Sequence, residues 1–210
     1  MSQDERLADV QAVLFDMDGT LVDSTRAVER AWLAFADDHG LDGTDTLALA
    51  GGPPASVTIR RLATGLDEDG VARAVAVQSD READMDGVVV AEGAHALIAL
   101  VERRGMPWAV VTSADRRLAD SRLAEAGITP PVLVTADDVA AGKPDPQGYR
   151  AAAMALGVPI ERCLVVEDSK IGAEAGLASG ALVAGLVPDL GAQLTVRDLP
   201  HLTTLLDGPA

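Results

Sequence analysis

Five short apolar runs, each followed by a stretch with helical spacing, set the tightest limit on how this chain can fold. They are Ala12-Val13-Leu14-Phe15, Trp108-Ala109-Val110-Val111, Val132-Leu133-Val134-Thr135, Leu164-Val165-Val166 and Ala181-Leu182-Val183-Ala184. Continuous apolar runs of this length, with no polar alternation, suit strands buried on both faces. Strands that alternate with helices build a parallel sheet covered on each side. The expected fold class is therefore α/β, a Rossmann-like three-layer core with a parallel sheet. Helices are expected from about Asp23 or Ser24 to Asp38, over Ala94–Arg104, Arg116–Ala126, Gly148–Leu156 and Ile171–Ser179, and in the tail beyond Leu199. Gly40, Gly127 and similar glycines stop them.

The pattern breaks between residues 23 and 92. No strand alternation occurs there, and helical pieces near 44–50, 55–64 and 67–84 flank the breaker Gly51-Gly52-Pro53-Pro54. This segment reads as a helical subdomain inserted after the first strand. The expected division is a core of residues 1–22 and 93–210 carrying a helical cap of residues 23–92.

The chain of 210 residues is long enough for a substantial core, and its aromatic content of 2% leaves that core to Ala, Val, Leu and Ile. So few aromatics also argue against stacking surfaces for nucleic-acid bases. A formal net charge of −16 disfavours nucleic acid and anionic membranes as partners. Cys163 is the only cysteine, which excludes an internal disulfide and suits a buried thiol. The start, MSQDERLADV, lacks a signal-peptide pattern, and no apolar run is long enough for a membrane span. The expectation is a cytoplasmic protein, a monomer or weak homodimer, acting on a small molecule.

The polar residues that stand out fall just after the strands. Asp16 and Asp18 follow the first, Thr112 and Ser113 the second, and Glu167 and Asp168 the fourth, while Lys143 lies in a strand-to-helix loop. Right-handed crossovers bring these strand ends to one edge of the sheet, where ligands bind. Taken singly, each has a plain structural reading: a solvated turn, a helix cap, an exposed lysine. Asp16-Met17-Asp18-Gly19 also resembles part of an EF-hand, but the closing acidic position would be Ala27. Together, several carboxylates at one edge repel one another unless a cation sits among them. Oxygen ligands without His or Cys suit Mg²⁺. A carboxylate in that setting can attack phosphorus. Lys143 and the Thr112 hydroxyl can hold the phosphoryl oxygens, and Asp18 can move the proton.

The stretches FDMDGTLVDS (15–24), WAVVTSAD (108–115), GKPDP (142–146) and VVEDSKIGAEAG (165–176) resemble, in order, the signatures of the haloacid-dehalogenase-like superfamily, specifically its phosphatase branch. The resemblance implies a Mg²⁺-dependent phosphatase of small sugar or polyol phosphates. It makes Asp16 the nucleophile and Asp18 the general acid/base, with the Asp18 backbone carbonyl also on the metal. Thr112 and Lys143 become the phosphate binders, with Ser113 beside them. Asp168 becomes a metal ligand, and Glu167 supports the metal directly or through water. The alternative within the family is a phosphosugar mutase of the β-phosphoglucomutase type. Two departures weigh against it: Val28 stands where the mutase has a cap His, and Pro54 where it has a cap Arg. Arg60 and Arg61 are the nearby basic residues, expected on an exposed helix face.

Overall fold

The computed structural model describes residues 6–50 and 53–208. A six-stranded sheet runs β5-β4-β1-β6-β7-β8, and every pairing in it is parallel. Its strands are β1 (Ala12–Phe15), β4 (Trp108–Val111), β5 (Leu133–Val134), β6 (Cys163–Glu167), β7 (Leu182–Gly185) and β8 (Leu194–Thr195). All five expected strands are present, and β1 lies at the centre, as its fully buried run requires.

Alternation of side chains sorts the strands onto two faces. Val13, Phe15, Trp108, Val110, Leu164 and Val166 point to one core, shared with α5 (Ala94–Arg103), α6 (Arg116–Glu125) and α9 (Leu199–Asp207). Ala12, Leu14, Ala109, Val111, Cys163 and Val165 point to the other, shared with α7 (Gln147–Leu156) and α8 (Lys170–Ser179). The result is the three-layer α/β core that the sequence implies. Phe15 and Trp108 meet edge to face at 6.0 Å, which concentrates much of the aromatic area on one side of β1.

The helical interruption forms α1 (Thr25–His39), α2 (Gly43–Ala50), α3 (Ala55–Leu62) and α4 (Glu68–Glu82). These helices build a small core of their own around Trp32, Phe35, Ala50, Ile59 and Val71. Gly40 ends α1 in the left-handed conformation, at φ 64°. Of the expected breaker, Gly51 and Gly52 lie outside the described residues. Pro53 and Pro54 precede α3. Two strands escaped the sequence reading here: β2 (Val22–Asp23) and β3 (Val89–Val90) pair antiparallel where the chain enters and leaves the helical unit. Two residues per strand are too few to show a period.

Cys163 is fully buried, and burial raises its thiol to about 11. The expected result is no reaction with a thiol reagent near neutral pH in the native protein, and one equivalent once denaturant is added, read by absorbance. Among the described residues, no helix is long and apolar enough to cross a membrane.

Candidate active site

Asp16 directly follows β1, and its amide donates to the Val166 carbonyl of β6 at 3.0 Å. This ties the first carboxylate to the strand that carries Glu167. The chain then turns through Gly19, at φ 81°. A side chain at that position would collide with Asp168, since a Cβ would stand 2.0 Å from Oδ2. Gly19 therefore serves the turn and also gives Asp168 room. Gly172 does the same for Glu167, with a would-be Cβ only 1.7 Å from Oε1.

Asp16, Glu167 and Asp168 can each bring a carboxylate oxygen within 4.8 Å of the others. Lys143 reaches in from its loop. Its ammonium donates to Asp16 Oδ1, to Glu167 Oε1 at 2.6 Å and to the Val111 carbonyl at 3.1 Å. Glu167 is wholly buried yet fully satisfied. Tyr149 Oη donates to Oε1 at 2.7 Å, and the amide and hydroxyl of Ser169 donate to Oε2 at 3.1 and 3.0 Å. Ser169 Oγ also accepts from Gly172 N and caps α8.

The electrostatics follow from this packing. Burial, then the charge of Glu167, raise the Asp16 carboxyl well above its ordinary range despite Lys143. Burial and Glu167 likewise push Asp168 up to about 7. Burial would also raise Glu167, but the Lys143 charge and the donors around it win and hold it low. Burial disfavours the charged form of Lys143, but Asp16 and Glu167 outweigh it and hold the ammonium well above its usual range. Three acids thus face one ammonium, and two of them hold their protons more tightly than free carboxylates do. A divalent cation would relieve that repulsion. The donor set is oxygen only, which fits Mg²⁺.

Asp18 is different. Its carboxylate is outside the acidic group, and both of its oxygens are held. Oδ1 accepts from Ser24 Oγ at 2.6 Å and Oδ2 from Arg122 Nη1 at 2.7 Å. Ser24 occupies the N-cap position of α1 but makes no side-chain cap bond, and it spends its hydroxyl on Asp18. Thr112 is buried, and its hydroxyl accepts from Ala114 N at 3.1 Å. The cap of α6 is Asp115, which accepts from Leu118 N at 2.8 Å, so neither Thr112 nor Ser113 is used for it.

Asp16, Asp18, Thr112, Ser113, Lys143 and Asp168 all line one cleft of about 730 Å³ between the sheet edge and the helical unit. Trp32, Val28, Pro54 and Ser56 close it from the helical side. The sequence reading missed Tyr149, Ser169, Arg122 and Glu82. The last two carry a signal in hindsight. Arg122 falls on the apolar stripe Leu118, Ala119, Leu123, and Glu82 continues the buried spacing of Val71 and Gln78. A charge on a buried face calls for a partner.

A parallel sheet with a carboxylate at the end of its central strand, a buried lysine beside it and an acidic group behind defines an α/β enzyme core built to handle an anion and a cation together. Residues 10–180 match the family described as haloacid dehalogenase-like hydrolase. The chain belongs to that family. It is 41% identical over 172 residues to hexitol phosphatase A of Escherichia coli K12, covering 81% of this chain and 80% of the relative. It is 34% identical to validoxylamine A 7'-phosphate phosphatase of Streptomyces hygroscopicus subsp. limoneus, covering 84% and 85%. Among solved structures, a hydrolase from Pseudomonas syringae superposes with a TM-score of 0.85 at 25% identity, covering 94% of this chain and 98% of that one.

Proposed function

We propose that this protein is a phosphatase of small phosphorylated sugars or polyols that works through a phosphorylated Asp16. The observation that carries the reading is Asp16 itself. It is a buried carboxylate at the mouth of the central strand, paired to Lys143 and open to a cleft large enough for a sugar phosphate. The name of the first relative, a hexitol phosphatase, supports the same substrate class. In the first half-reaction an Asp16 oxygen attacks phosphorus and the ester P–O bond breaks. The leaving oxygen takes a proton from Asp18. In the second, water attacks the same phosphorus and gives its proton to Asp18. The P–O bond to Asp16 breaks, and inorganic phosphate is released. Lys143 balances negative charge on the phosphoryl group, and Thr112 and Ser113 orient its oxygens. Asp16, Asp168 and the Asp18 carbonyl would hold Mg²⁺, with Glu167 supporting them. Bound there, Mg²⁺ would add to the charge neutralisation that Lys143 supplies alone.

The helical unit of residues 23–92 acts as a cap, and α1 to α4 supply the far wall of the cleft. That wall argues against the mutase alternative. A mutase must seat a second phosphate. Among the described residues the cations lining the cleft are Arg122, Lys143 and Lys170, none of them from the cap. Arg60 and Arg61 do not line the cleft, and Arg60 turns outward to Glu68. Val28 and Pro54 present apolar surface instead.

The test is phosphate release from a panel of sugar, polyol and nucleotide phosphates, with Mg²⁺ and with chelator, using Asp16→Asn as the blank. The expected result is release confined to Mg²⁺ and concentrated on a few sugar or polyol phosphates. No release above the blank on any substrate overturns the reading. Conversion of a hexose 1-phosphate to its 6-phosphate faster than phosphate release would establish the mutase instead.

A further inference from the structure

We propose that Arg122 is a positioning residue for the proton-transfer step, holding the Asp18 carboxylate in place and tying it to the helical cap through Glu82. The inference rests on the reading of Asp18 as the general acid/base. Arg122 sits mid-way along α6, and its side chain is 3% exposed. An arginine is almost never buried to that degree without a partner. It has two. Nη1 donates to Asp18 Oδ2 at 2.7 Å, and Nη2 reaches Glu82 Oε2 at 3.4 Å. Glu82 lies in the last turn of α4 and also accepts from Gln78 Nε2 at 3.1 Å. One guanidinium therefore bridges a carboxylate of the core loop and a carboxylate of the cap.

The second oxygen of Asp18 is held by Ser24, at the point where the chain passes from the core into α1. Both donors on Asp18 are thus attached to the core–cap boundary. Neither Arg122 nor Ser24 touches Asp16 or Lys143 through any hydrogen bond. Within the protein, their route to the reacting groups runs through Asp18. Proton transfer demands a narrow geometry, and a displacement of about 1 Å can cost about 10²-fold in rate. A guanidinium suits the task better than an ammonium. Its planar fork fixes two acceptors at once, whereas a lysine offers a point charge on a flexible stem.

The test uses the full-length protein with Mg²⁺ present, and the variants Arg122→Met, Arg122→Lys, Asp18→Asn and their combinations. Arg122→Met is expected to lower kcat on an alkyl phosphate by about 10- to 100-fold with KM changed by less than about threefold. Arg122→Lys should regain part of that loss. The decisive readouts are two. First-turnover release of 4-nitrophenolate from 4-nitrophenyl phosphate should stay near wild type in Arg122→Met, because that leaving group needs no proton. In the Asp18→Asn background, Arg122→Met should cost nothing further, since the two act as a unit. A loss that is equal for both leaving groups, or undiminished in the Asp18→Asn background, overturns the inference. So does a kcat within twofold of wild type. If Arg122→Met does not fold, Arg122→Met/Glu82→Gln removes the unpaired cap carboxylate and carries the same cycle. Asp18→Asn with full activity overturns the acid/base reading itself, and the inference with it. Inactive Asp16→Asn and Asp18→Asn beside an unaffected Arg122→Met overturns the inference alone.

Discussion

Asp16→Asn is expected to lower turnover by at least about 10³-fold while leaving the fold intact. The loss follows from chemistry: an amide cannot form the acyl phosphate that splits the reaction into two steps, and removing a nucleophile costs at least this much in enzymes where it has been measured. The survival of the fold follows from packing. Asn has nearly the shape of Asp, and the substitution takes one acid out of a group of three. Lys143 keeps Glu167 and the Val111 carbonyl as partners, so no charge is orphaned. The expected change in stability is within about 1 kcal/mol, or about 2–4 °C in Tm for a chain of this size. Steady-state phosphate release and a thermal unfolding scan measure the two effects. Retained activity would remove Asp16 from the mechanism. A collapse in Tm would mean that the pair with Lys143 holds the fold rather than the chemistry.

The central layers of this structure were legible because they rest on local repetition. Each buried strand announces itself as an apolar run, and each helix as a stripe closed by a glycine such as Gly40 or Gly157. The convergence of Asp16, Thr112, Lys143 and Asp168 on one cleft was legible because the parallel sheet delivers its strand ends to one edge, so position in the sequence predicts proximity in space. What escaped was pairwise and distant. Arg122 meets Asp18 across 104 positions, and Tyr149 meets Glu167 across 18. Nothing in the local pattern of α6 or α7 says which acid each will find. Ser24 shows the same limit at short range. A hydroxyl at a helix start can cap that helix or reach another acceptor, and here Asp18, six positions back, wins. β2, β3 and β8 escaped for a simpler reason, since a two-residue strand has no period to read.

Lys143→Met separates what the site does for stability from what it does for catalysis. The ammonium is the one cation among Asp16, Glu167 and the Tyr149 ring, which lies 5.1 Å away. Its side chain is 8% exposed, and Glu167 is not exposed at all. Breaking a buried pair by removing one partner typically costs about 3–5 kcal/mol, because the remaining charge is stranded. Tm should fall by about 6–20 °C. Turnover should fall by at least about 10²-fold, since the transferring phosphoryl group loses its fixed cation. The two effects have different routes, and a second substitution divides them. Lys143→Met/Glu167→Gln neutralises the stranded carboxylate; the amide oxygen still accepts from the Ser169 amide and hydroxyl, and the amide nitrogen faces the Tyr149 hydroxyl oxygen, which can accept from it. The double variant should therefore recover most of the lost Tm and none of the lost activity. Recovery of activity along with Tm would make Lys143 a structural counter-ion that never meets the phosphate. A Tm unchanged in Lys143→Met would mean that water replaces the ammonium and that the buried pair contributes nothing to the fold. The pattern of one recovery without the other is what a residue shared between core and chemistry requires.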